Sequence, residues 1–315
     1  MLKQISFLIL CAVAIVLFTA PVQACTSAVV SGKVTPDGRP LLWKNRDTDF
    51  MRNHIDYVKG EKYNFIAVVN SANAYLKEAW MGTNSSGFAL MNTQSYNLVD
   101  VKGDEERGAA NGRVIYRALE VCATVEDFCH FLDTISKPSD IEANFGVIDA
   151  QGGAAMFEVD YHKYVMYDAN NPKDAPYGYI VRTNFSFAGK VNEGAGYVRY
   201  MEADQVLMKA SATGSITPQF IFNDLSRSFR NRMLDIDLRS GAYNRPQASG
   251  WFVDQDFIPR SSTSCSVVVQ GVKPGEKAEL TTMWTLLGYP PTGIAVPLWV
   301  KDAGKLLPGM VRFGK

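Results

Sequence analysis

Cys25 is the residue of this 315-residue chain best placed for chemistry, because a processing signal ends immediately before it. Lys3 supplies a positive start and Ile5 to Ala20 an apolar run. Pro21-Val22-Gln23-Ala24 then reads as a small-residue cleavage site, with Val22 and Ala24 in the two recognised positions. Cleavage after Ala24 makes Cys25 the first residue of the mature chain, with a thiol and a free α-amine on one carbon. A free thiol has a pKa of about 8.5, and an α-amine one of about 7.7–8.0. The amine can therefore take the thiol's proton near neutral pH, as in other nucleophiles paired with an N-terminal amine. Two other expectations compete. One is a lipid anchor on Cys25, which would block the thiol; Gln23, large and polar, suits that poorly. The other is cleavage elsewhere, with Cys25 an ordinary small buried residue.

Asp47 is the residue that a neighbouring turn brings to Cys25. Thr26–Ser31 alternates into Val29 and Val30, meets a turn at Pro36-Asp37-Gly38, and continues as a second strand from Pro40 to Lys44. A hairpin of this kind returns the chain so that Asp47, at the end of the second strand, lies beside the start of the first. Its carboxylate can then hold the Cys25 amine and tune its pKa. Without Cys25 upstream, Asn45-Arg46-Asp47 would read as a polar turn.

The elements that must position these residues are mostly strands. Further strands are predicted at Asn64–Val69, Phe88–Thr93, Asn144–Asp149, Ala154–Val159, Lys163–Tyr167 and Tyr179–Val181, with a turn at Asp149–Gly153. Later ones are predicted at Ser264–Gln270, Leu280–Trp284 and Ala295–Val300. Ile115, Leu119 and Cys122 share one helical face; Val125, Phe128 and Leu132 continue after Thr124, which with Asp127 resembles a helix start. Tyr197 to Ser211 is a third helix, with Val198, Met201 and Val206 among its apolar positions, and Thr217-Pro218 opens a fourth. No repeat or long linker divides the chain. Strands, then helices in blocks, then strands again predict an α+β fold of two sheets covered by helices. A signal peptide (1–24) would precede one domain (25–315).

Composition narrows the function. The chain has 32 basic and 32 acidic residues, and the signal removes only Lys3 from them. That balance argues against nucleic acid or an anionic membrane as partner. No apolar run after the signal reaches the roughly 18 residues of a membrane span. An exported product, periplasmic or secreted, is the expectation, and assembly into a homo-oligomer stays open. Cys122, Cys129 and Cys265 are too few for a disulfide scaffold. Cys122 and Cys129 can pair only across a helix break, because seven residues of continuous helix would part them by about 10 Å. His54, His130 and His162 lie in no metal-ligand spacing, and no glycine-rich phosphate loop is present. The chemistry needs neither metal nor cofactor. Asn84-Ser85-Ser86 and Asn184-Phe185-Ser186 match the glycosylation pattern.

Cys25-Thr26, followed after the hairpin by Lys44-Asn45-Arg46-Asp47, resembles the start of the choloylglycine hydrolase and penicillin V acylase family and the related acyl-coenzyme A:6-aminopenicillanate acyltransferases. Gly82 to Asn92 is similar to that family's strand–turn–strand segment, which ends near a substrate-side asparagine. The resemblance gives that role to Asn92, or to Gln94 if the register slips by two. Val181-Arg182-Thr183-Asn184-Phe185 looks like the family's Thr-Asn motif, which makes Asn184 a donor to the oxyanion; an amide NH₂ stabilises developing negative charge without adding a titrating proton. Arg199 falls where the family has a helix-borne arginine near the nucleophile, and Arg260 is a second candidate cation. Lys44 stands where bile-salt and penicillin V hydrolases usually carry arginine, keeping the charge near substrate and thiolate but losing the planar fork. The resemblance implies the four-layer αββα sandwich of N-terminal-nucleophile hydrolases, and an exported amidohydrolase cleaving linear amides of small acyl-amide substrates through a thioester on Cys25. Acyl transfer to an amine, a dipeptidase of the related cysteine family and a non-catalytic lipoprotein anchored through Cys25 are the alternatives.

Overall fold

The computed structural model of the chain describes residues 24–99, 108–241, 256–305, 307–309 and 311. Residues 1–23 of the expected signal peptide lie outside the described residues. Strands β1 (Cys25–Val30) and β2 (Leu41–Asp47) form the expected antiparallel hairpin. The second strand runs on to Asp47, so Asn45-Arg46-Asp47 is strand and not turn. Next come β3 (Asn53–Val58), β4 (Phe65–Asn70), β5 (Met81–Asn84) and β6 (Ala89–Gln94). With β7 (Ala143–Ile148), β8 (Ala154–Val159) and β9 (Tyr164–Asp168) they pair in sequence order as a seven-stranded sheet. β10 (Tyr179–Arg182) returns to the free side of β1. After a small ribbon, β11 (Arg230–Asn231) with β12 (Ile236–Asp237), β13 (Thr263–Gln270) pairs with β2. β14 (Thr282–Leu287) and β15 (Val296–Leu298) complete a six-stranded sheet in the order β10-β1-β2-β13-β14-β15.

The two sheets stack face to face, and helices cover both outer faces. Because side chains alternate along a strand, Val29, Leu42, Val267 and Val269 point from the first sheet into the same layer as Ile66, Val68, Met91, Ile148 and Met156 from the second. Opposite-parity residues of the second sheet, such as Phe65, Leu90 and Phe145, pack under α1 (Asn111–Val121) and α2 (Val125–Thr134). Ala28, Trp43 and Val268 of the first sheet pack under α3 (Tyr197–Ala212) and the short helical segment after Thr217. This is the expected α+β architecture, layered αββα.

Local signals held where they were local. Thr124 accepts from the Asp127 N–H and Asp127 answers with its carboxylate, a complete capping box that opens α2 after the break at Ala123. Cys122 and Cys129 flank that break, and both are free thiols. The α3 helix buries Arg199, Glu202, Ala203, Leu207 and Ala210, whereas Met201 of the expected apolar positions is exposed. The last two strands are shifted: β14 begins at Thr282, and β15 stops at Leu298 because Val300 opens a short helix. Among the described residues, no helix is long and apolar enough to cross a membrane.

Candidate active site

The hairpin register decides what meets Cys25. Cys25 lies opposite Arg46, Thr26 opposite Asn45 and Ser27 opposite Lys44. Arg46 faces Cys265 on its other side. By alternation Cys25, Lys44, Arg46 and Cys265 all point toward the second sheet. Asp47 follows on the opposite parity, at the end of β2, where a register shift in β13 brings Thr263 beside it.

Cys25 is buried and held at three atoms. Its nitrogen donates to Asn184 Oδ1 at 2.9 Å, its carbonyl accepts from Arg199 Nη1 at 2.5 Å, and its sulfur lies 4.0 Å from the Asp47 carbonyl oxygen. Arg199 is a hub. Nη1 also donates to Thr26 Oγ1 at 2.9 Å, Nη2 to Asn184 Oδ1 at 2.9 Å, and Nε to Asp256 Oδ1 at 2.8 Å. The guanidinium lies close over Gly196, whose φ of +85° favours glycine; a Cβ there would come within 2.9 Å of Arg199 Cζ. Asn184 therefore turns its carbonyl end to two donors, Cys25 and Arg199, and its Nδ2 donates to the Gln94 carbonyl at 2.8 Å.

Asp47 is buried, with one oxygen bonded and one not. Thr263 Oγ1 donates to Oδ1 at 2.5 Å, while Oδ2 has no hydrogen-bond partner among the described residues. Burial pushes this carboxyl up to about 7, against the opposing pull of Arg199, Thr263 and Arg260. Lys44 is also buried; Nζ donates to Asn92 Oδ1 at 2.9 Å and to the Trp80 carbonyl at 3.0 Å. Burial lowers its pKa to about 8, with Cys25 working in the other direction. Arg46 bonds Asn70 at 2.8 Å and also Asn53, and its guanidinium lies 4.7 Å from the Trp80 ring centre.

The structure thus gathers Cys25, Asp47, Asn184 and Arg199 into one cluster, with Lys44 beside it and Asn92 reached through Lys44. Gln94 enters only by its backbone carbonyl, because its side chain turns to Asn111 and Ser95. Of the two arginines, Arg199 touches Cys25; Arg260 lies behind Thr263 and pairs with Asp256 at 3.4 Å. Asp256 and Thr263 were not singled out from the sequence. Their partners lie far away along the chain, and no local pattern links them. Asn84 and Asn184 are buried with their Nδ2 atoms engaged, which leaves no room for a glycan on either in the folded chain. No group of histidine, cysteine or acidic side chains among the described residues is arranged to hold a metal.

Comparison with known proteins adds two findings. The family model of acyl-coenzyme A:6-aminopenicillanic acid acyl-transferases matches residues 34–212, a span that includes Lys44, Asp47, Asn92, Asn184 and Arg199. Among solved structures, two variants of the conjugated bile acid hydrolase from Clostridium perfringens are similar in fold, with TM-scores of 0.52 and 0.51 at 12% identity, covering 88% of this chain and 93% of theirs. Penicillin V acylase from Agrobacterium tumefaciens follows at a TM-score of 0.44 and 14% identity, over 87% of this chain and 85% of that one. No curated protein matches the chain. The four-layer sandwich is that of the N-terminal-nucleophile hydrolases.

Proposed function

Because the chain belongs to the acyl-coenzyme A:6-aminopenicillanic acid acyl-transferase family, we propose that it is an exported amidohydrolase that cleaves linear amides with Cys25 as its N-terminal nucleophile. Removal of residues 1–24 turns the Cys25 nitrogen into an α-amine. The amine takes the thiol proton, and the thiolate attacks the amide carbonyl. Amide NH₂ groups, Asn184 foremost and Asn92 second, stabilise the oxyanion. The ammonium returns its proton to the leaving amine. Water, deprotonated by the same amine, then hydrolyses the thioester and frees the acid.

One observation carries this reading. The Cys25 nitrogen is oriented by a buried amide oxygen, and the Cys25 sulfur lies 4.0 Å from the backbone carbonyl of Asp47, a buried aspartate with one carboxylate oxygen unpartnered among the described residues. A buried polar atom without a partner is costly, and an ammonium on Cys25 is the group that would satisfy it. Intact-mass analysis of the exported product, with amine release from conjugated bile salts, penicillin V and N-acyl amino acids, tests it. The expected result is an unmodified chain beginning at Cys25, whose turnover disappears in Cys25→Ala and in a chain that retains Ala24. A lipidated Cys25, or full activity with Ala24 retained, would overturn it. The family description favours a second reading, in which an amine replaces water and the enzyme transfers the acyl group. Adding 6-aminopenicillanic acid to the assay and separating transfer product from free acid distinguishes the two.

A further inference from the structure

Asn184 reaches the Cys25 nitrogen from the segment after β10, and catalysis is sensitive to displacements of about 1 Å. A row of polar side chains on the inner face of the second sheet fastens this segment, beside Asn97, which bonds the N–H and carbonyl of Ser186. Thr93 pairs with Asn144, and Asn144 with Glu158, across β6, β7 and β8. All three are buried. Asn144 Nδ2 donates to the Thr183 carbonyl at 3.3 Å and the Phe185 carbonyl at 3.2 Å, the two carbonyls that flank Asn184. It also bonds Thr93 Oγ1 at 3.0 Å, and its Oδ1 accepts from Ser186 Oγ at 2.6 Å. Glu158 holds what lies on either side. Oε1 accepts from Arg182 Nε at 2.6 Å and the Phe187 N–H at 2.8 Å, and Oε2 from the Ala188 N–H at 2.7 Å.

The segment from Arg182 to Ala188 is therefore bound to side chains of the second sheet, largely through its backbone, while the Asn184 side chain bridges the Cys25 nitrogen on the first sheet and the Gln94 carbonyl on the second. Stability alone does not require this. A buried ion pair such as Glu158–Arg182 can often be replaced by apolar residues at no loss, whereas a polar row of fixed geometry sets the position of a backbone. Building on the reading in which Asn184 serves the reaction, we propose that Asn144, backed by Glu158, is a positioning residue that sets the Asn184 amide against Cys25.

The test measures kcat, KM and thermal midpoint for Asn144→Ala, Asn184→Ala and the double variant, on an acyl amide that the wild type cleaves. It adds the pH profile of Cys25 alkylation by iodoacetamide, read by mass spectrometry. Asn144→Ala should lower kcat up to about 10²-fold with KM little changed, and should add almost nothing to the loss in Asn184→Ala. Asn144→Asp, which keeps the volume but loses the donors, should resemble Asn144→Ala. If these variants do not fold, Ser186→Ala removes the hydroxyl that donates to Asn144 Oδ1, together with its bond to Ser95 Oγ at 2.9 Å, and should show a smaller loss with the same non-additivity. Losses that multiply, or a lowered midpoint with normal kcat, would overturn the proposal. Absence of turnover in the wild type would instead strike the amidohydrolase reading. In that event the alkylation profile still decides: it should shift alike in Asn144→Ala and Asn184→Ala, and a shift in Asn184→Ala alone counts against Asn144.

Discussion

In the proposed reaction Asp47 and Asn184 serve Cys25 through charge and orientation respectively, and each role can be tested separately. In the chain that retains Ala24, Asp47 is a buried carboxyl whose pKa is raised from 3.8 to about 7. Between those values the folded chain holds a proton that the unfolded chain has lost, so this group makes stability fall as pH rises across the window. Lys44 acts elsewhere: its lowered pKa makes stability rise with pH only between about 8 and 10.5. Thermal midpoints of the Ala24-retaining chain should thus decline from about pH 4 to about pH 7, and Asp47→Asn should flatten the decline. In the proposed mature chain, where the Cys25 ammonium satisfies Oδ2, cleavage before Cys25 should flatten it too, because an ammonium there favours the ionised carboxylate. An unchanged slope in Asp47→Asn would remove Asp47 as its source. For Asn184, whose Oδ1 faces two donors, Asn184→Asp keeps the acceptor that orients Cys25 and loses the amide donor. If that donor serves the oxyanion, both Asn184→Asp and Asn184→Ala should lose about 10²–10³ in kcat with little change in KM. A midpoint lowered by roughly 1 kcal/mol of stability with kcat intact would make Asn184 a structural residue.

Among the elements, what the sequence made legible was what short-range chemistry writes. Thr124 opens α2 because its hydroxyl and the Asp127 carboxylate satisfy each other's N–H groups, and Asp149 adds a bond to Val125 at 2.9 Å. Thr124→Ala should cost about 1 kcal/mol and lower the thermal midpoint. It should leave kcat unchanged, since α2 lies on the outer face of the second sheet; a fall in kcat would contradict that separation. The hairpin of β1 and β2 was legible for the same reason, with its turn at Pro36–Gly38; it brings the Asp47 carbonyl oxygen to 4.0 Å from the Cys25 sulfur, while the Cys25 nitrogen bonds Asn184. β3 was not anticipated. It is an edge strand whose Asn53, Asp56 and Tyr57 are only partly buried, so it lacks a clean alternation. The polar row of Asn144 and Glu158 was hidden because each sits in a strand otherwise read as apolar. Asp256 and Thr263 meet Arg199 and Asp47 only through the tertiary fold, and pattern does not record such contacts.

At the scale of the molecule, the proposed reaction makes the spacing between the sheets part of the site. The first sheet carries Cys25, Lys44 and Asp47, whereas Asn92 belongs to the second and Asn184 is fastened to it through Asn144. The two sheets approach closely where β7 crosses the hairpin at Gly146. A Cβ there would press on Met91 of its own sheet and come within 2.9 Å of both Leu42 Cδ1 and Val29 Cγ2 across the layer. Real Cβ contacts are not that short, and interiors packed at crystal-like density have little room to yield. Gly146→Ala should therefore part the sheets slightly, at about 1–3 kcal/mol of overpacking. Since the groups assigned to the proposed reaction are divided between the sheets, the same displacement should lower kcat more than KM. Gly241→Ala, where a Cβ meets nothing within 4 Å among the described residues, is the control and should change neither quantity. A lowered midpoint in Gly146→Ala with normal kcat would mean that the site is built within one sheet. Normal values of both would mean that the layer can repack around a methyl group, and that the close approach at Gly146 is not what sets the distance from Cys25 to its partners.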